Sequence, residues 1–389
     1  MKKFFYAFML LGAVMMAGCK GGNTPETDST KLWPAGEDDS SLAGYINSSG
    51  KLVIVANYSW AAGFSCGWAY VQDGSDEMFI GSNGKRAKIP YADRYDRFFY
   101  YDRLTFTEDK LMGKISSDLS VVVRADYSDL GPTSDNGYCY FQEEGESRYG
   151  YMDKNGKKVI APDFDGAESF ANGIAVVSVI KNNEARYGVI NTKGNYIIEL
   201  GKKRLVNLGE SRIASYSSTN EKWSMIDKSG DIITDGYNSI LPFSCGLAMV
   251  GKGDKFGYIN TKGDEVIDLR YAFASPFYDN VAWVRKNADA DARYELIDKK
   301  GEQLCKLKEK EAPKGAFHNG LCLIYNVEKD EYRYIDKSGE MVYKWEAKGA
   351  KPVGDAPVNY APQSEEALRL MLDTEYGPLF MDRLKEMSR

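Results

Sequence analysis

Apolar residues in this chain come in short alternating bursts broken by Gly, Asn and Asp, and long runs at helical spacing are few. The clearest burst is Tyr149–Val177. It reads aromatic, Gly, aromatic, Ile or Met, Asp or Asn, two polar residues, Gly, a short apolar run, then Phe-x-x-Gly and a second apolar run. The fourth position of this pattern recurs as Ile46, Ile80, Ile115, Met152, Ile190, Ile226, Ile259, Ile297 and Ile335, at steps of 33 to 38 residues. Four residues further on stand Gly50, Gly84, Leu119, Gly156, Gly194, Gly230, Gly263, Gly301 and Gly339, so only Leu119 breaks the glycine series. The opening aromatic is kept in the last six copies and replaced by Ala43, Glu77 and Met112 in the first three. A period this constant marks a tandem repeat of nine units, of which those at Glu77 and Met112 have drifted most.

Each unit has a readable local structure. A segment such as Gly257–Gly263 is a strand that runs into a tight turn. The Asp or Asn opens the turn by accepting a backbone N–H two residues on, and Gly closes it at positive φ. A returning strand follows, then a loop, then a Phe-x-x-Gly segment that introduces a third strand: Phe64–Gly67, Phe170–Gly173, Phe243–Gly246 and Phe317–Gly320. The expected unit is an antiparallel meander of three or more short strands.

Side chains alternate faces along a strand. The first strand therefore puts aromatics on one face and Gly plus Ile on the other, and both faces read as buried. The Gly reads as a place where a neighbouring unit approaches the backbone closely. One unit cannot cover both faces alone, so the units stabilise each other in a row. The expected fold is all-β, with repeats of about 36 residues over 43–345, either an open solenoid or a propeller-like closure. Residues 351–389 change character. Pro-containing residues 351–363 read as a linker, and 365–374 and 378–387 as short helices capping the array.

The array resembles the WG repeat of bacterial proteins, named for a Trp-Gly pair that opens each unit. Here the pair is Tyr149-Gly150, Tyr187-Gly188 and Phe256-Gly257, while Trp223-Ser224 keeps the Trp and loses the Gly. The resemblance runs from Ala43 to Trp345. It implies an all-β repeat body of the kind often found in secreted or envelope proteins, and it brings no shared catalytic residues.

The N-terminus supplies an address. Lys2 and Lys3 precede an apolar run, Phe4–Met16, which ends in Ala17-Gly18-Cys19. This is a secretory signal over residues 1–18, too short for a mature membrane span. The cysteine at its end makes it resemble a bacterial lipoprotein signal, with acylation of Cys19. Residues 19–42 then read as a flexible tether, and Lys20 after the cysteine resembles the pattern of outer-membrane sorting.

Composition narrows the function classes. The chain carries −6 at pH 7; loss of residues 1–18 removes two lysines and no acid, which takes it to −8. A net acidic chain without a basic run argues against nucleic acid as partner. His318 is the only histidine, so clusters of His ligands are not available; a Ser-His-Asp triad would have to use it, no G-x-S-x-G elbow accompanies it, and it reads as a loop residue. Cys66, Cys139, Cys245 and Cys322 fill repeat positions otherwise held by small residues and read, with Cys305, as free thiols. Asp153, Asp227, Asp298 and Asp336 share their position with Asn47, Asn191 and Asn260, which points to turn chemistry and not to calcium. No cofactor or metal is expected.

The template breaks most in Gly81–Asp135, where Tyr91, Arg94, Tyr95, Arg97, Tyr100, Tyr101 and Arg103 interleave aromatic and guanidinium groups, a combination common at binding surfaces. The expectation is a lipid-anchored envelope protein, on the outer membrane, whose repeat surface binds a protein or glycan. The competing expectation is a glycan-processing enzyme with a carboxylate pair in the array, although no pair stands out among the 56 acids.

Overall fold

The computed structural model describes residues 31–347 and 353, apart from 39, 91, 290 and 291. Cys19, the expected signal and, save Val353, the expected helical cap lie outside them. All regular structure among the described residues is β. The nine expected units appear as nine antiparallel repeats, the two drifted ones included. The fifth is representative, with strands Gly166–Ala167, Ile174–Lys181, Glu184–Asn191 and Tyr196–Gly201 paired in that order. The third and fourth repeats share the long strand Val121–Leu130 and so merge into one seven-stranded sheet.

The sheets are out of phase with the sequence unit. The strand that follows Phe-x-x-Gly, or Ser134–Gly137 where the Phe is lost, pairs with the first strand of the next unit: Tyr138–Glu143 pairs with Tyr149–Asp153, and Ile174–Lys181 with Glu184–Asn191. A two-residue strand begins five of the eight sheets among the described residues and completes a four-stranded meander in three of them. Each sequence unit thus contributes to two successive sheets, and adjacent sheets are tied covalently.

The Ile/Met series forms the spine of the packing. All nine residues are buried, from 0 to 6 % exposed. Each such side chain taken from water contributes about 1.5–3 kcal/mol. The cores lie between consecutive sheets. One unites Tyr151, Ile160 and Phe164 of the fourth repeat with Phe170, Ala175, Val177 and Ile190 of the fifth. Another joins Val206, Ala214, Trp223 and Met225 of the sixth to Phe243, Val250 and Ile259 of the seventh.

The turn chemistry follows the expectation. Asp153 Oδ1 accepts the backbone N–H of Asn155 and Lys157, at 2.9 and 3.0 Å. Asn47, Asn191, Asp227, Asn260, Asp298 and Asp336 make the same pair of bonds. The glycine that closes the turn has φ between +73° and +87° in the eight repeats that carry it. Leu119 adopts φ +69° at the same place.

The glycine of the first strand needs a different explanation from the expected one. A Cβ on Gly150 would lie 2.6 Å from Ile160 O, and one on Gly257 2.5 Å from Ile267 O. Both oxygens belong to the returning strand of the same repeat. That strand shifts register there: Tyr149 pairs with Phe164 but Tyr151 with Ile160. The bulged backbone folds over the glycine, so the close approach comes from within the sheet.

The array also begins earlier than expected. Leu32–Gly36, inside the segment read as tether, is a strand paired with Ala43–Asn47, and it buries Trp33 and Ala35.

By contact, the described residues divide into two units, one of residues 89–269 and the other of residues 31–88 with 270–347 and 353. Within the second unit the first repeat packs on the ninth. Trp33, Ala35 and Ile46 share a core with Leu321, Tyr332, Tyr334 and Trp345. A Cβ on turn Gly50 would lie 2.2 Å from Val342 O, on the returning strand of the ninth repeat. In other repeats the turn glycine faces the returning strand of the repeat before it, as Gly194 does Ile160 and Gly263 does Ile233, although Gly230 meets nothing within 4 Å. The ninth repeat thus stands to the first as the fourth stands to the fifth.

Candidate binding site in the third repeat

The interleaved aromatic and arginine residues fall on the first strands of the third repeat, and Tyr91 lies outside the described residues. Arg94–Tyr95 is the short initial strand, Arg103–Glu108 the second and Leu111–Ser116 the third. Arg94 and Arg97 are exposed; Tyr95, Tyr100 and Tyr101 are half-buried. The Tyr95 ring packs against Phe106 at 6.2 Å between centroids, and its hydroxyl donates to Pro90 O. Burial, reinforced by the nearby Asp96 carboxylate, pushes the Tyr100 phenol well above its ordinary pKa. Burial and Asp135 do the same for Tyr101.

Arg103 is placed differently. It is 5 % exposed. Its Nε donates to Lys154 O at 2.9 Å, in the turn of the next repeat, and its Nη1 pairs with Asp102 at 2.8 Å. Arg212 makes the equivalent bond from the sixth repeat to Thr261 O of the seventh, at 2.7 Å. In both repeats Phe-x-x-Gly is absent. Tyr101-Asp102 and Glu210-Ser211 take positive φ instead, at 44°, 66°, 49° and 59°. Arg103 is therefore occupied in joining two repeats, which leaves Arg94, Tyr95, Arg97, Tyr100 and Tyr101 as the surface members of the set.

Sequence reasoning missed the centre of this region. Lys114 is 1 % exposed, in the third position of its repeat unit, directly before Ile115. The other repeats place Tyr45, Phe79, Tyr151, Val189, Met225, Tyr258, Leu296 and Tyr334 there. Where that residue is Tyr45 or Tyr151, its hydroxyl donates to a carbonyl of the following repeat, Ala62 O or Glu168 O, each at 2.8 Å. Lys114 instead donates to Thr105 Oγ1 at 3.3 Å. Thr105 in turn hydrogen-bonds to the Asp96 carboxylate. The three residues form one row across adjacent strands: Asp96 N donates to Thr105 O at 2.9 Å, and Thr105 stands opposite Lys114.

The charges in this row are unequally solvated. Burial draws the Lys114 ammonium below the ordinary lysine pKa, and Arg103 adds to that; Cys139, Asp96 and Asp129 act against it. Asp96 is exposed. Desolvation raises its carboxyl above the ordinary range, and Lys114, the Thr105 hydroxyl and Arg94 oppose the rise. Asp129, pushed up by burial, accepts the Tyr149 hydroxyl at 3.0 Å.

The remaining candidates have local roles. His318 lies in a turn, its carbonyl accepting Trp33 Nε1 at 2.9 Å and its Nε2 lying 3.1 Å from Asn319 Nδ2. Cys139, Cys305 and Cys322 are free thiols, as expected. Among the described residues no three of His, Cys, Asp and Glu gather in a way that could hold a metal ion.

Comparison with known proteins agrees with the repeat. The family model described as WG containing repeat matches residues 44–75, 149–182, 223–256 and 256–288. No curated protein matches the chain. Among solved structures, the fold is similar to one titled as the eukaryotic initiation factor, with a TM-score of 0.56 and 8 % identity over 81 % of this chain and 95 % of that one. Apo AztD from Citrobacter koseri is less similar, with a TM-score of 0.40 and 13 % identity over 75 % and 95 % of the two chains. Kluyveromyces lactis Hsv2p has a TM-score of 0.33 and 11 % identity over 74 % and 96 %. The chain thus carries WG containing repeats in four places and an all-β repeat fold.

Proposed function

We propose that this is a lipid-anchored envelope protein, held at Cys19 on the outer membrane, whose third repeat binds a glycan. The observation that carries the binding reading is the set of side chains presented there. Arg94, Asp96 and Arg97 are exposed beside half-buried Tyr95, Tyr100 and Tyr101. Guanidinium and carboxylate groups offer paired donors and acceptors to vicinal hydroxyls, and a partly buried phenol offers an apolar face with a polar edge. A pocket for such a ligand works through a few placed polar groups on a rigid scaffold. The anchor reading rests on the leader sequence that ends in Ala17-Gly18-Cys19.

Two measurements test these statements separately. Metabolic labelling with a fatty-acid probe should mark the wild-type chain and not Cys19→Ala; equal labelling overturns the anchor. The chain without residues 1–19, immobilised and exposed to envelope extract, should retain glycan. Retention of protein alone redirects the binding reading to a protein partner.

A further inference from the structure

Lys114 occupies a slot that folding alone fills with apolar side chains. Eight sister repeats place Tyr, Phe, Val, Met or Leu there. A buried ammonium with a single long hydrogen bond is poorly compensated for its lost hydration, and an apolar residue of similar volume serves stability better. The row that Lys114 belongs to runs outward through Thr105 to Asp96, from a fully buried end to an exposed one. A buried charge that reaches the surface only through a hydroxyl and a carboxylate is arranged to act on what touches the carboxylate.

We propose that Asp96, Thr105 and Lys114 form a hydroxyl-recognition subsite for a neutral glycan. Asp96 is the contacting carboxylate, and Thr105 and Lys114 are positioning residues that hold it ionised and aimed. This rests on the glycan reading given above and names its ligand class. The chemistry selects a neutral ligand because the contacting group is itself a carboxylate, held ionised by Lys114 and Arg94, which accepts from hydroxyls and repels an acid placed against it. Thr105 is well suited to the link: its single hydroxyl proton goes to Asp96 while its oxygen accepts from Lys114. The ionisable groups facing the row are Arg94 and Tyr100 at the Asp96 end, and Arg103, Asp129 and Cys139 at the Lys114 end. Among the described residues the groups that act on the Asp96 carboxyl are Lys114, Thr105 and Arg94, so binding should follow its ionisation.

The test uses the purified full chain on an array of neutral and uronate-containing oligosaccharides, followed by titration of the retained neutral one from pH 4 to 8. Asp96→Asn should weaken binding at least tenfold and abolish its pH dependence. Lys114→Met should weaken it at pH 6 and move the midpoint to higher pH, because the charge opposing the carboxyl's upward shift is gone. Thr105→Val should fall between them. Thermal melting of Lys114→Met at or above the wild-type temperature separates this loss from unfolding. If the wild-type chain retains neutral glycan and all three variants bind as it does, with the same pH midpoint, the subsite is overturned while the glycan reading stands. Retention of uronate-containing glycans alone overturns the neutral ligand class. A wild-type chain that retains no glycan overturns both readings.

Discussion

The hydroxyl of Tyr334, in the ninth repeat, donates to the carbonyl of Pro34, in the first, at 2.8 Å. Tyr151 makes the same kind of bond from the fourth repeat to Glu168 O of the fifth. Tyr343 adds a bond to Gly36 O at 3.0 Å, and Trp33 donates to His318 O. The segment Leu32–Gly36 is therefore held on two sides, by its own sheet and by the last one. Trp33→Ala should lower stability by about 3–5 kcal/mol, the usual cost of emptying a large aromatic site. Tyr334→Phe should cost about 1 kcal/mol through the carbonyl left unpaired. Urea titration measures both; a Trp33→Ala loss under 1 kcal/mol would mean that the strand is dispensable.

Leu119 sits at φ +69° in a turn where eight repeats use glycine. The left-handed region costs a non-glycine residue about 1 kcal/mol or more, whereas the freedom that glycine adds to the unfolded chain costs somewhat less. Leu119→Gly should raise stability by about 0.5 kcal/mol. A fall in melting temperature would show that the half-buried Leu119 side chain outweighs its backbone strain.

Gly257→Ala and Gly201→Ala should differ sharply. A Cβ on Gly257 meets the backbone at 2.5 Å, and one on Gly201 meets nothing nearer than 4.0 Å. Backbone atoms cannot step aside as a side chain can, so the first change should cost about 2 kcal/mol or more and the second less than 0.5 kcal/mol. Equal denaturation midpoints for the two variants would refute the bulge argument.

The stability of Lys114→Met should depend on pH in a defined direction. The folded chain holds this ammonium below its unfolded pKa of 10.5. Between those values the unfolded chain binds more protons, so wild-type stability rises with pH in that window. The variant should be more stable than wild type by about 1–4 kcal/mol near neutrality, and the gap should narrow as pH climbs toward 10. A gap that is constant or widening over pH 7–10 would show that Lys114 titrates as it does in the unfolded chain.

Much of this architecture is legible in the chain because period and turn chemistry are local. Ile46 and Ile335 can be aligned by counting, and Asp153 and Asn191 declare their turns by residue type. The frame of the sheets is less accessible. Tyr138–Glu143 pairs with the strand after it, and nothing in the order of residues says where one sheet stops. Trp33 escaped because Leu32–Gly36 carries no copy of the motif and is flanked by polar residues. Gly150 was recognised as a close approach but assigned to the wrong neighbour, since a register shift leaves no mark in composition. At the candidate site the exposed aromatic and arginine residues drew attention, while Lys114 did not. The available signal was its place: alignment of the drifted copy puts a lysine in a column of tyrosine, phenylalanine and aliphatic residues.

The offset between sequence unit and sheet has a consequence for how such a chain grows and shrinks. Duplicating any stretch of one period inserts the second half of one sheet and the first half of the next. Both new halves meet matching edges, wherever the cut falls. Each seam between copies is interior to a sheet and needs no designed junction, but a change in copy number must also fit the contact between the first and ninth repeats. The ends are another matter. A terminal truncation leaves half a sheet unpartnered and also strips the contact between the first and ninth repeats, so the tips of this chain tolerate loss least.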